Sequence, residues 1–289
     1  MGLNLVQAWS TAKARLEAAG LAGPVIDARL LVEAAAEATR VDIVTDPYRP
    51  LTDAQEATLE DYLTRRIRRE PVSHILGRKG FWKIMLQVTP DVLTPRPDTE
   101  TVVEFVLRDF PEHAPWSILD LGVGSGAILL AILAERPAAK GLGIDVSEDA
   151  LAVARDNAAH LGLAGRMALL RGDWTEGLAG DSFDLVVSNP PYIATDVIEE
   201  LEPEVRDHEP RIALHGGADG LDAYRRLAPE ILRVLKPGGR FAVEIGYDQK
   251  EAVEALFREA GAAGVQTLRD LADRDRVVAG TKNPLETTA

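Results

Sequence analysis

The chain is 289 residues long, 46% hydrophobic, with a formal net charge of −14 and no cysteine. That apolar fraction builds an ordinary buried core, while the lack of cysteine excludes disulfides, thiolate catalysis and Cys-based zinc sites. The acidic balance offers no overall basic footprint of the kind a dedicated nucleic-acid binder needs to neutralise phosphates; no apolar run approaches a membrane span and the N-terminus lacks the layout of a signal peptide, so a cytoplasmic protein is expected.

Leu5, Ala8, Trp9, Ala12, Leu16 and Ala19 recur at helical spacing, and Gly20 can close that helix. Leu30, Leu31, Ala34, Ala35 and Ala38 form a second stripe. Thr52 and Gln55 fit a capping box ahead of a third stripe, Leu59, Tyr62, Leu63 and Ile67. Arg65, Arg66, Arg68 and Arg69 then read as a solvated last turn favoured by the helix macrodipole. Residues 1–75 are expected to form a small helical domain.

The period then becomes two. Trp82, Ile84, Leu86 and Val88 alternate with Phe81, Lys83, Met85 and Gln87, which predicts one strand. Pro90-Asp91 is a turn signal and Val92-Leu93 starts a return strand, so residues 76–95 are expected to be a β-hairpin linker. In TPRPDTE, Asp98 or Thr99 is available to cap the next helix.

A second domain is expected over residues 96–289, and from about residue 116 its rhythm is strand and helix by turns. Ile118–Leu121, Gly141–Ile144, Ala168–Leu170, Leu185–Val187 and Phe241–Ile245 read as strands. Helices lie over Ala127–Glu135, after a Ser147 cap, and around Leu227–Leu235 and Val253–Phe257; Val265–Leu268 and Arg276–Ala279 are the last strands. This alternation predicts an α/β fold with a doubly wound, mostly parallel sheet. Ile193–Asp219 breaks the rhythm, being long, acidic and weakly periodic, and is expected to cover a cleft with a short helix around Ile198–Leu201. The tail, Asn283–Ala289, is expected to fray.

Two loops carry chemistry. Asp120-Leu-Gly122-Val123-Gly124-Ser125-Gly126 follows the first strand of the alternating region and opens a helix, so backbone can come close to a ligand. Asp145 ends the next strand, where a carboxylate can accept from ribose hydroxyls. The glycines alone leave NAD open. Asp120 tilts the reading, because a carboxylate there would repel a pyrophosphate and attract an ammonium. Asp173-Trp174 suits an adenine edge and face. The second loop is Asn189-Pro190-Pro191-Tyr192, directly after an apolar strand. Asn189 and Pro190 each precede a proline and are held extended. Prolines donate no N–H, so the Asn189 side-chain oxygen and the Pro190 carbonyl stand as adjacent acceptors for both hydrogens of one NH2 group. Tyr192 can stack on the plane of that group. The five histidines show no zinc spacing, and no metal is expected.

With PRPDTE, DLGVGSG, GIDVS, GDW, SNPPYI, KPGG and EIG in this order, the whole chain resembles the release-factor glutamine N5-methyltransferases (HemK/PrmC type), a class I S-adenosylmethionine-dependent family. The resemblance implies a seven-stranded, Rossmann-like methyltransferase sheet and a substrate-docking role for the N-terminal helices. It implies that Gly122, Gly124, Gly126, Asp145, Trp174 and Asn189 contact the cofactor, and Val123 and Ser125, between those glycines, are expected to line the same site. It further implies that Asn189, Pro190, Pro191 and Tyr192 hold the glutamine of the Gly-Gly-Gln motif of bacterial release factors 1 and 2, with Arg96 and Glu100 as a cofactor-side wall. Val123 stands where the family usually has Thr, and His208 where an aromatic is common. A monomer with no stable nucleic acid and no membrane partner is expected. The alternative reading is an amino-methyltransferase acting on adenine or guanine. An NAD-dependent oxidoreductase leaves Asn-Pro-Pro-Tyr unexplained, and a non-catalytic module leaves the intact clamp unexplained.

Overall fold

The computed structural model describes residues 2–284; the tail expected to fray lies, from residue 285, outside the described residues. The chain forms two compact units, one of residues up to 78 together with 202–208, the other of 79–201 with 209 onward.

The smaller unit contains α1 (Leu5–Ala18), α2 (Pro24–Ala35), α3 (Arg40–Thr45), α4 (Asp53–Ile67) and α5 (Val72–Leu76). The α1 stripe is buried as its spacing requires, with Leu5, Ala8, Ala12 and Leu16 all at 0% exposure. On α2 the buried face is Ala28, Leu31, Val32 and Ala35; Leu30 and Ala34, read from the sequence as core, are only half-buried. The capping box on α4 forms, with Gln55 N donating to Thr52 Oγ1 (3.3 Å) and Thr52 N to Gln55 Oε1 (3.0 Å).

The arginine cluster is not the solvated turn its position suggested. Arg66 is 7% exposed. Its guanidinium meets Asp27 on α2 at 2.8 Å and, at 3.0 Å, Glu204 on a one-turn helix α9 (Pro203–Arg206) from the long acidic loop. Arg65 pairs with Glu70. A local reading sees only the charges around α4, whereas the two acids on Arg66 come from sequence-distant elements. Arg66→Ala strips both carboxylates of a partially desolvated partner and is expected to destabilise this unit by about 3 kcal/mol. Urea unfolding would read the loss, and a change below about 0.5 kcal/mol would show that the pair is effectively in water.

The larger unit opens on a hairpin, β1 (Arg78–Phe81) and β2 (Ile84–Gln87). Its turn falls on Trp82-Lys83, inside the segment the alternation presented as one strand. Trp82 takes φ +52° and its N–H donates to Glu100 Oε1 at 2.8 Å. Period-two alternation continues across a two-residue turn, so the pattern alone cannot locate it. Val92 starts no strand; Val88 and Val92 pack with Ala150 and Val153 instead. Phe81 and Leu86 lie in the main core, so the hairpin is part of this unit's packing.

After α6 (Glu100–Asp109), α7 (Ala127–Glu135) and α8 (Glu148–His160) alternate with β3 (Ser117–Leu121), β4 (Lys140–Asp145) and β5 (Met167–Arg171). Then come β6 (Phe183–Ser188), α10 (Asp222–Val234), β7 (Leu235–Glu244), α11 (Lys250–Glu259), β8 (Ala262–Arg269) and β9 (Asp275–Lys282). The seven-stranded sheet has the order β5-β4-β3-β6-β7-β9-β8. Pairs from β5 to β7 are parallel, and β9 runs antiparallel to both neighbours. The KPGG turn, read as ending a helix, lies within β7, where the register against β6 shifts between Phe183 and Leu185.

Period-two side-chain alternation divides the core between the two sheet faces. Ile118, Leu185, Val187, Ala242, Val277 and Ala279 pack with α6, α7 and α8. Leu119, Val186, Phe241, Val243 and Val278 pack with α10 and α11, where Phe241 stacks on Phe257 at 4.1 Å between ring centroids. Because β3 feeds β4 and β5 on one side and β6 and β7 lie on the other, the chain reverses direction across the sheet between β3 and β6. Open α/β sheets bind ligands outside the strand C-termini at that switch point.

Candidate functional site

Both chemical loops leave the sheet at the switch point. Leu121, the end of β3, is in register with Ile144 on one side and Ser188 on the other, so the glycine loop, Asp145 and Asn189 emerge side by side. The glycine loop is stitched to β4. Gly122 N and Val123 N both donate to Ile144 O at 2.9 Å, and Gly124 N donates to Asp145 Oδ2 at 2.9 Å. Gly122, Gly124 and Gly126 have φ of +72°, +52° and +84°, a region closed to most L side chains. At Gly126 a Cβ would also lie 2.8 Å from Leu130 Cδ1, so this glycine lets α7 start against the loop.

A cavity of about 310 Å³ opens there. Asp120, Gly122, Val123, Gly124, Ser125, Asp145, Asp173, Trp174, Asn189 and Pro191 line it, with Arg96 on the wall. Gly126, Pro190, Tyr192 and Glu100 are not among the lining residues. Glu100 holds the hairpin turn instead, as described above.

The carboxylates differ in circumstance. Asp120 is 1% exposed and, among the described residues, neither of its oxygens has a hydrogen-bond partner. Burial pushes its pKa up to about 7, the Leu129 backbone amide opposing and the nearby Asp145 charge adding. Asp145 is already engaged, Oδ1 accepting from Ser147 N at 3.0 Å and Oδ2 from Gly124 N. Asp173 pairs with Arg226 at 2.7 Å. Trp174 takes φ +52°, packs against the α10/α11 core, and sets its ring about 3.6 Å from where a Gly122 Cβ would be. It therefore serves as core and cavity wall together.

The Asn-Pro-Pro-Tyr loop is held from two sides. Asn189 Nδ2 donates to Thr99 Oγ1 at 3.2 Å. Tyr192 does not face the cavity; its hydroxyl donates to Glu244 Oε1 at 3.2 Å and its carbonyl accepts from Gln249 Nε2 at 3.0 Å. Burial and the Glu244 charge hold the Tyr192 phenol well above its ordinary pKa.

Thr99, Glu244 and Glu209 emerge as site residues only in three dimensions. Thr99 was readable as a helix cap, yet it makes no side-chain capping bond; its hydroxyl serves Asn189. Glu209 is 6% exposed and accepts from Arg96 Nη2 at 2.7 Å. The available sequence signal was a charged residue closing an apolar strand, as in FAVEIG, or standing before a proline, as in Glu209-Pro210. The end of the long loop is pinned beside the site, since Ile193 N donates to Leu214 O and Gly216 N to Ile193 O. That brings Ile212 and His215 to the cavity wall, while His208 belongs to the smaller unit.

Comparison with known proteins shows the family. Residues 7–77 match the PrmC N-terminal domain and residues 112–278 a methyltransferase domain. A release factor glutamine methyltransferase of Caulobacter vibrioides is 71% identical over 289 residues, covering 100% of both chains. Another, of Agrobacterium fabrum, is 43% identical over 271 residues, covering 92% of this chain and 93% of its own. The crystal structure of a methyltransferase from Pyrococcus furiosus shares the fold, with a TM-score of 0.50 at 17% identity over 68% of this chain and 88% of that one. With both of its domains matched and relatives this similar along its whole length, the chain belongs to the release factor glutamine methyltransferase family.

Proposed function

We propose that this protein transfers a methyl group from S-adenosylmethionine to the side-chain amide nitrogen of the glutamine in the Gly-Gly-Gln motif of bacterial release factors 1 and 2. The observation that carries the reading is the convergence, in one cavity, of a buried carboxylate without a partner and an asparagine fixed by a second residue. Asp120 fits an ammonium, because a cation would satisfy its two orphaned oxygens and relieve the cost of ionising it in place. The glycine loop would let the rest of the cofactor approach the backbone, Asp145 would take the ribose hydroxyls, and Asp173 with Trp174 would face the adenine. When bound, S-adenosylmethionine supplies an electrophilic methyl on a sulfonium.

The acceptor nitrogen poses the harder problem, because an amide lone pair is delocalised. With Nδ2 committed to Thr99, Asn189 keeps Oδ1 as its acceptor. Asn189 Oδ1 then accepts from the substrate NH2, and Pro191 shapes the wall. Holding that nitrogen in line with the methyl supplies much of the rate, since positioning can contribute several kcal/mol to a displacement. One N–C bond forms as one S–C bond breaks, and the surplus N–H proton, made strongly acidic by methylation, leaves to solvent without a dedicated base. The small helical unit serves in this reading to dock the release factor.

Tandem mass spectrometry of a release factor incubated with the protein and S-adenosylmethionine tests the assignment. One added methyl on the Gly-Gly-Gln glutamine is expected, and none on a factor carrying Gln→Asn there. Methylation of RNA or DNA in its place would transfer the assignment to the nucleic-acid reading.

A further inference from the structure

His215 lines the cavity and is exposed there, yet the chemistry above leaves it without a role. Its backbone is fixed beside the Asn-Pro-Pro-Tyr loop. It forms a parallel β-bridge with Ile193, the residue after Tyr192. Ile193 N donates to Leu214 O at 3.0 Å and Gly216 N to Ile193 O at 2.8 Å. Gly216, the next residue, lies so close to that loop that a Cβ on it would come within 2.8 Å of Tyr192 Cα and 2.9 Å of Pro191 O. His215 therefore stands beside Pro191 on the cavity wall.

The ring is fixed as well. Nε2 lies 2.9 Å from Thr195 Oγ1, and the same hydroxyl donates to Gly217 O at 3.0 Å. A carbonyl can only accept, and a hydroxyl has one proton. With that proton given to Gly217, the Thr195 oxygen is the acceptor at the imidazole, so Nε2 carries the hydrogen. A neutral imidazole has one N–H and one bare nitrogen. Nδ1 is then the bare one, and among the described residues no group hydrogen-bonds it.

We infer that His215 is a specificity-determining residue for the protein substrate, its Nδ1 accepting a backbone N–H of the peptide segment that carries the target glutamine. This rests on the function proposed above. A peptide that enters the cavity gives up water from its backbone, and an N–H buried without an acceptor costs free energy. Glycines ahead of the glutamine have no side chain to shield their N–H groups, so an acceptor on the wall can reach them. A ring that served the loop alone would need only Nε2. The opposite tautomer would set N–H against N–H, and Thr195 excludes it from behind the ring.

Three variants and one spectrum test the assignment, in mildly alkaline buffer that keeps an imidazole neutral. His215→Leu removes both nitrogens and is expected to raise KM for a release factor about 3- to 10-fold, the span of one net hydrogen bond. Its kcat and its Kd for S-adenosylmethionine should stay near the wild-type values. His215→Gln, whose NH2 can serve Thr195 while its oxygen accepts, is expected to recover most of the loss. Thr195→Val keeps the ring but frees its tautomer, and should raise KM by a smaller factor. In nitrogen NMR of the imidazole, assigned by its loss in His215→Leu, Nδ1 is expected to be bare and Nε2 protonated, and the Nδ1 signal is expected to move when the release factor binds. A protonated Nδ1, an Nδ1 signal unmoved by bound release factor, or a His215→Leu enzyme with wild-type KM overturns the inference. So does a His215→Leu defect confined to kcat or to cofactor affinity, which would make the ring a support of the loop. An Nδ1 signal that moves with the release factor in a protein that methylates none would uphold the contact and overturn the proposed reaction alone.

Discussion

Asn189→Ala is expected to lower kcat on a release factor by about 100- to 1000-fold, the loss typical of removing one preorganised hydrogen-bonding group aimed at a reacting centre. The substitution removes the acceptor Oδ1 and also takes from Thr99 the amide its hydroxyl holds. Folding should survive, because Asn189 is only partly buried and β6 ends before it, with Leu185, Val186 and Val187 at 0% exposure still packed on both faces of the sheet. Asn189→Gln is the sharper test. It keeps the amide and moves it by one methylene, and a displacement of that order at a reacting centre costs about 100-fold. Single-turnover methylation with a tritiated methyl donor would read both variants. Retention of more than a tenth of the wild-type rate by Asn189→Ala would remove this residue from the chemistry.

Asp120→Asn is expected to act in opposite directions on binding and on stability. Its carboxylate has no hydrogen-bond partner among the described residues, so an ammonium is the natural source of one, and charge-assisted hydrogen bonds are worth about 1.5–3 kcal/mol. The Kd for S-adenosylmethionine should therefore rise about 10- to 100-fold, measured by calorimetry at pH 7.5. Below neutrality the wild-type affinity should fall as Asp120 takes up a proton, and Asp120→Asn should lose that dependence. Stability follows from the raised pKa. The unfolded carboxyl ionises near 3.8 and the folded one near 7. The folded state therefore holds the proton more tightly, and stability declines as pH climbs from about 4 to about 7, then stays low. A neutral asparagine abolishes that contribution, so the cofactor-free variant is expected to be more stable than the wild type at pH 8, by up to about 4 kcal/mol, and no more stable at pH 4. Denaturant unfolding at the two pH values gives the comparison. A variant that binds the cofactor as well as the wild type would separate Asp120 from the ammonium.

Much of the fold follows from short-range pattern. The α1 stripe, the Thr52–Gln55 capping box, the Ser147 cap and the strands flanking the switch point were all readable, because 3.6- and 2-residue periodicities record which face is buried. The hairpin turn was not, since Trp82 continues the alternation through it. The buried state of Arg66 was not either, because its partners Asp27 and Glu204 lie 39 and 138 residues away in sequence.

The chemistry divides along the same line. By itself the sequence determined the two loops: a glycine-rich turn after an apolar strand needs positive φ, and an asparagine before two prolines is held extended, and both demands are local. It also placed Asp120 and Asp145 at strand ends. Only the tertiary structure decided what those residues face. The strand order brings β3 beside β6, so that Asp120 and Asn189 share a cavity, and it left Asp120 without a partner. It drew Thr99 away from its helix to Asn189, and turned the Tyr192 hydroxyl onto Glu244. Those outcomes depend on contacts between residues 52 to 90 positions apart, and no local preference of the chain encodes them.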